Sequence, residues 1–157
     1  MIELRIGTTV TTPGRTIGEG DISLFAGLAG DFTPIHVDEE FASASPHGAR
    51  IAHGPLTLAT AIGMATQTGM FGSRVIGLVN LNWDFMGVVK IGDTIRSTVT
   101  VETLRSTSKP GRSLGAFRFE VFNQHRAVVQ RGTMTVVLRD DEAADQAEAR
   151  QAAPGPL

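Results

Sequence analysis

Asp31 and His36 stand five residues apart in the stretch LAGDFTPIHVDEEF, Leu28 to Phe41. A carboxylate and an imidazole brought to one water could take a proton from it and return a proton to a neighbouring atom, which is general acid–base chemistry. Pro34 lies between them, and the residue before a proline is pushed toward extended backbone, so Thr33 breaks any regular helix here. Gly30 punctuates the run before it. The pair is therefore expected on an irregular loop, where exposed polar side chains serve function more often than packing. The competing reading is structural: Asp is a favoured turn residue and can simply brace a loop.

A third group belongs with them. The stretch IAHGPLTLA places Gly54 and Pro55 at the opening of an apolar run. Proline suits the first turn of a helix, where its missing N–H costs nothing. The backbone N–H of Gly54 would then sit at a helix start, where unpaired donors and the helix dipole favour developing negative charge. Glycine also lets a reacting group come close. His47 reads as a surface-loop residue, and His53 as a residue shaping the pocket mouth with no proton transfer. A metal held by His36, His47 and His53 is conceivable on residue type. No His-x-His or His-Glu-x-x-His spacing supports it, so no metal is expected. No Gly-x-Ser-x-Gly elbow is present for a serine nucleophile.

The elements that must hold these groups divide the chain. GDISLFAGLAGD reads as a helix with Asp21 as its cap, Ile22, Phe25, Leu28 and Ala29 on one face, and Gly30 as its stop. VDEEFAS adds one short turn. The helix opened by Gly54 is apolar or small nearly all round and is expected to be buried on most sides. After it come RVIGLVNLNWDFM, DTIRSTVTVETLRS, SLGAFRFEVFNQ and AVVQRGTMTVVLRD, all with strand-like alternation. NQHR, Asn123 to Arg126, reads as the last hairpin turn. With no helices between them, these strands should be antiparallel. The fold class is α+β: a long central helix wrapped by a curved antiparallel sheet. Such a sheet leaves edges that a second copy can cover, so a homodimer is expected.

The run AGDFTPIHVDEEFA resembles the signature of the MaoC-like dehydratases, which include the (R)-specific enoyl-CoA hydratases of hotdog fold. That signature has Gly-Asp, a variable residue, Asn-Pro, an aliphatic residue and His, then a small residue. Gly30, Asp31, Pro34, Ile35, His36 and Ala42 match it; Thr33 stands where the family commonly has Asn. IAHGPLTLA and VKIGDTI are similar to two later landmarks. The resemblance covers nearly all of residues 1–139. It implies reversible syn hydration of 2-enoyl-CoA thioesters to (R)-3-hydroxyacyl-CoA, with Asp31 and His36 as the catalytic pair and the Gly54 N–H as oxyanion donor. Coenzyme A would be the substrate carrier, and no cofactor is expected. A thioesterase on the same fold and a non-catalytic acyl-CoA-binding subunit are the alternatives. The first would need His36 less, and the second has no use for an acid–base pair.

Composition is compatible with this and removes other classes. The chain has 157 residues, 41% hydrophobic and 19% charged, with no cysteine. It is long enough for one core, and disulfides, a Cys nucleophile and Cys-ligated zinc are excluded. Residues 140–157 carry five acids and one base and read as a loose acidic, Ala-rich tail. Residues 1–139 hold eleven acids against thirteen bases, and the excess lies in 90–139. That half suits a small anionic ligand such as coenzyme A. Exposed aromatics are not interleaved with the bases, so nucleic acid is not an expected partner. The N-terminal MIELRIGTTV lacks a basic segment followed by an apolar core, and no membrane span is expected, so the expected compartment is the cytoplasm.

Overall fold

A computed structural model describes residues 2–139; the tail expected over 140–157 lies outside the described residues. Two short strands come first, β1 (Thr9–Thr11) and β2 (Arg15–Thr16). Helices α1 (Glu19–Ala29), α2 (Pro34–Val37), α3 (Glu39–Ala44) and α4 (Gly54–Thr66) follow. A single 3-10 turn, Gly72–Arg74, leads into β3 (Val75–Phe85), β4 (Thr94–Ser106), β5 (Arg112–Phe122) and β6 (Val128–Arg139). No helix among the described residues is long and apolar enough to cross a membrane.

The sheet is antiparallel, as the missing crossover helices require, and runs β1-β4-β5-β6-β3, with β2 paired to the start of β4. Strands β4, β5 and β6 are joined as successive hairpins. The last of these turns falls at Asn123–Arg126, where Asn123 Oδ1 accepts from the His125 and Ala127 N–H groups and Arg126 adopts φ 62°. Strand β3 pairs β6 and so occupies the far edge. Period-2 alternation sends Val99 and Val101, Phe117, Phe119 and Val121, and Met134, Val136 and Leu138 to one face, all buried. Helix α4 lies across that face, contributing Leu56, Ala61, Met64 and Ala65. Its thirteen residues span about 20 Å at 1.5 Å per residue. Gly132 lets β6 approach β3: a methyl there would collide with the Asn82 carbonyl and the Trp83 ring.

Four expectations need correction. Helix α1 is capped by Gly18; Asp21 is its third residue, and its carboxylate reaches back to the Gly18 N–H at 2.8 Å. That is the return half of a capping box, with glycine in place of the usual hydroxyl residue. The inward face of α1 is Ile22, Phe25 and Ala26; Leu28 is 86% exposed and Ala29 is exposed, because α1 covers the core only through its first two turns. Helix α4 is buried on one side of the single chain, with Pro55, Ala59, Gly63 and Thr66 outward. Finally, β1 and β2 belong to the sheet although the front of the chain reads as helical; three and two residues are too few to leave a pattern.

Candidate active site

Gly30 ends α1 in the left-handed region, φ 71°, and delivers the chain to Asp31. The Asp31 Oδ1 atom accepts from the Thr33 N–H at 3.1 Å and from the Thr33 hydroxyl at 2.6 Å. These two bonds hold the carboxyl group below the usual carboxylate range, with smaller help from the positive fields of His53 and His36 against a modest desolvation. Asp31 is thus an ionised acceptor. Its side chain is 45% exposed, so the group is reachable.

Pro34 then starts α2, a single turn, and His36 is its third residue. The histidine is therefore on a short helix and not on irregular loop, because the proline that forbids helix before it permits helix after it. His36 Nδ1 lies 2.8 Å from the Ile51 carbonyl. A carbonyl only accepts, so Nδ1 carries the proton and, in the neutral ring, Nε2 holds the lone pair.

His53 completes the group. It caps α4, is 1% exposed, and its Nε2 donates to the Asp31 backbone carbonyl at 2.9 Å. The His36 ring stacks on it at 3.8 Å between centroids, and Phe25 packs on it at 5.0 Å. One side-chain atom from each of Asp31, His36 and His53 lies within 4.8 Å of the others. A water donating to two acceptors at about 2.8 Å each holds them roughly 4.5 Å apart, so the Asp31 carboxylate and a His36 ring nitrogen are at bridging distance. As a metal cradle the same trio is poorly arranged. The His53 nitrogen turned toward Asp31 carries a proton, and two stacked rings do not aim their nitrogens at one point.

Beyond the trio, Gly54 opens α4. The Thr57 N–H is taken by the His53 carbonyl at 3.2 Å, whereas the Gly54 N–H has no partner among the described residues. Gly54 lines a cavity of about 280 Å³ with His36, Thr57, Phe85, Val89 and Gln130. A methyl at Gly54 would meet Phe85 Cε1 at 2.8 Å, so the present position of the Phe85 ring against the helix start depends on glycine. Asp31 and His36 thus lie side by side, and His36 and Gly54 line one cavity whose lining does not include Asp31: an ionised acceptor, a ring nitrogen with a lone pair, and a spare backbone donor at a helix N-terminus.

The same chain matches the MaoC like domain family model over residues 2–114. The chain belongs to this family. It is 44% identical over 124 residues to the (R)-specific enoyl-CoA hydratase of Rhodospirillum rubrum, covering 79% of this chain and 81% of that protein. Among solved structures, the monoamine oxidase regulatory protein from Archaeoglobus fulgius superposes with a TM-score of 0.82 at 32% identity, over 87% of this chain and 92% of that one. The (R)-hydratase of Aeromonas caviae involved in PHA biosynthesis gives 0.73 at 26% identity, over 85% and 96%. The architecture described above is the hotdog fold.

In this MaoC-like chain Thr33 takes the place of the signature Asn, and the two bonds to Asp31 show what it does there. His47 lies outside the trio; it is half-buried, and its backbone N–H bonds Ser45 Oγ at 3.2 Å. Part of the basic excess in 90–139 is already matched. Arg118 pairs with Glu102 at 3.1 Å and Glu120 at 3.5 Å, and Arg131 stands 4.0 Å from Asp84, all on the outer face of the sheet. One site residue escaped the sequence reading and another was placed too far out. His53, expected at the pocket mouth, is 1% exposed and holds the Asp31 carbonyl. Gln130, near the start of a strand, left no local signal.

Proposed function

We propose that this MaoC-like chain is a hydro-lyase that adds water, reversibly and on one face, across the double bond of 2-enoyl-CoA thioesters to give (R)-3-hydroxyacyl-CoA. The named activity of the Rhodospirillum rubrum relative supports the reaction and its handedness. The observation that carries the reading is the tautomer of His36. With Nδ1–H committed to the Ile51 carbonyl, Nε2 and the Asp31 carboxylate both accept, so one water between them donates both its hydrogens and turns a lone pair outward.

Hydration then needs no separate acid. The water oxygen bonds the β-carbon as one O–H bond breaks and its proton passes to His36 Nε2. The π electrons move onto the thioester oxygen as an enolate, which the Gly54 N–H and the α4 dipole stabilise. The same proton goes from Nε2 to the α-carbon, and the enolate collapses. Hydroxyl and hydrogen come from one water on one face, which makes the addition syn. In this reading Asp31 orients the water and balances the imidazolium that forms, while His36 carries the proton. Coenzyme A carries the acyl group, no further cofactor takes part, and the compartment is the cytoplasm, where such thioesters are made and used.

The reading includes a homodimer. Strand β3 is a sheet edge with Ile76, Leu78, Val79, Leu81 and Phe85 all exposed, and an unpaired apolar edge is a template for a second strand.

The test follows loss of enoyl-thioester absorbance and release of free thiol together. Hydration without thiol release is expected. Asp31→Asn and His36→Ala should each lower kcat by about 10²–10⁴-fold, and the double variant should be little worse, because paired groups act as a unit. Thiol release from the unsubstituted protein without hydration would transfer the reading to a thioesterase.

A further inference from the structure

Gln130 is 2% exposed near the start of β6, opposite Phe85 of β3, and it lines the cavity that holds His36 and Gly54. A buried amide needs its partners, and the ones it has fix its orientation. The Trp83 Nε1–H, which can only donate, bonds Gln130 Oε1 at 3.0 Å. The amide nitrogen is thereby turned to the other side, where it donates to the Gly54 carbonyl at 3.0 Å. A side chain from the sheet thus grips the first carbonyl of α4.

We propose that Gln130 is a positioning residue for the hydration reaction: the relay Trp83–Gln130–Gly54 sets the orientation of the first turn of α4, and with it the Gly54 N–H that receives the enolate charge. The proposal rests on the reading of Gly54 as oxyanion donor. A donor hydrogen-bonded to a developing charge acts only if its direction is set beforehand, and displacement of a catalytic group by about 1 Å can cost 10²-fold. Gly54 has no side chain of its own to pin it. Its N–H belongs to the His53–Gly54 peptide, whose carbonyl takes the Thr57 N–H, and the next peptide along is held by the Gln130 amide on the Gly54 carbonyl, with the Phe85 ring alongside. Phe85 and Gln130 both come from the β3–β6 pair, so the sheet edge and the oxyanion turn are one mechanical unit.

The decisive variant is Gln130→Glu, nearly the same shape. Ionised, the introduced carboxylate still accepts from Trp83 but opposes the Gly54 carbonyl, oxygen to oxygen. Protonated, its O–H restores the donor. Burial raises the carboxyl pKa, so the donor returns as pH falls through that raised value. Relative to the unsubstituted protein, kcat of Gln130→Glu should therefore climb as pH is lowered from about 8 to about 5.5, with KM changing little. Gln130→Met, which has no donor at any pH, should lose about 10- to 100-fold in kcat with a flat ratio. Trp83→Phe, which keeps a ring but frees the amide to rotate, should lose less, in kcat again. Thermal melts of all three establish that the proteins are folded, and Gln130→Glu with Trp83→Phe decides the matter if Gln130→Met does not fold. A Gln130→Glu ratio that stays flat with pH, or a loss that appears in KM and melting temperature alone, would overturn the proposal. If the unsubstituted protein does not hydrate enoyl-CoA at all, the reading of the site falls and not merely the role of Gln130.

Discussion

The rings of His53 and His36 lie face to face, 3.8 Å between centroids with 27° between planes, and each ring's one bonded nitrogen holds a different carbonyl. His36 holds Ile51, and His53 holds Asp31. The His53 bond therefore ties the loop that carries the carboxylate to the residue just before the first turn of α4, and the stack carries the His36 ring with it. Neither ring can rotate without breaking a hydrogen bond and opening the stack.

His53→Phe tests that coupling. The ring and its packing on Phe25 survive, but the bond to the Asp31 carbonyl is lost. Loss of one such bond costs about 0.5–1.5 kcal/mol of stability. A fall of about tenfold or more in kcat, with the fold kept, is expected if the bond sets the position of Asp31. A kcat equal to that of the unsubstituted protein would leave His53 a packing residue.

Gly54→Ala addresses the close approach of Phe85. The added methyl would sit 2.8 Å from Phe85 Cε1 and 2.9 Å from Cδ1, tighter than any relaxed contact. Phe85 is 56% exposed, so the ring rather than the helix should give way, moving within the cavity it lines. Activity should fall, and Phe85→Leu in the same protein should recover part of it by making room. A double variant no better than Gly54→Ala would mean that the helix start itself has shifted. Kinetics on the three variants at saturating substrate make the comparison.

How much of this was legible beforehand depended on whether the signal was local. The order of the longer elements, the Asn123–Arg126 turn and the inward Phe117, Phe119 and Val121 all follow from period and turn chemistry within a few residues. Asp31, His36 and Gly54 could be picked out because a motif places them within one stretch of the front half. The position of β3 was not readable: nothing in Val75–Phe85 says that it pairs β6 rather than the next strand along. Gln130 was lost for the same cause, since its partners Trp83 and Gly54 are 47 and 76 residues away. Leu28 was misread because helical periodicity reports a possible face, not how far along the helix the core extends.

The edge strand gives a prediction about assembly. Val79 and Leu78 are each 56% exposed, and Val79 is the residue without a partner where β3 shifts register against β6. Proteins that avoid edge pairing place lysine on such strands. Val79→Lys should convert a dimer into a species of the chain mass, 16.6 kDa, in a sedimentation experiment. A dimer that persists in Val79→Lys at micromolar concentration would move the interface elsewhere.

Thr33 gives the prediction on pH. Its hydroxyl bond, at 2.6 Å, is the largest cause of the lowered Asp31 pKa, and its N–H bond at 3.1 Å comes next. Both bonds favour the charged carboxylate, so the folded-state value lies below that of an ordinary Asp, about 3.9. Stability linked to this depression is fully present above the ordinary value and is lost as pH falls through the depressed one. Thr33→Val removes the hydroxyl while keeping the N–H and the β-branched shape. The Asp31 pKa should rise toward the ordinary value, and Thr33→Ser, which restores a hydroxyl, should bring it back down. Carbon-detected titration of the Asp31 carboxyl in the three proteins reads this directly, apart from catalysis. The acid limb of kcat should shift with it only so far as ionisation of Asp31, rather than protonation of His36, limits the rate. An Asp31 titration unchanged by Thr33→Val would assign the depression to the Thr33 N–H and the neighbouring histidines and leave the Thr33 hydroxyl as a brace for the loop alone.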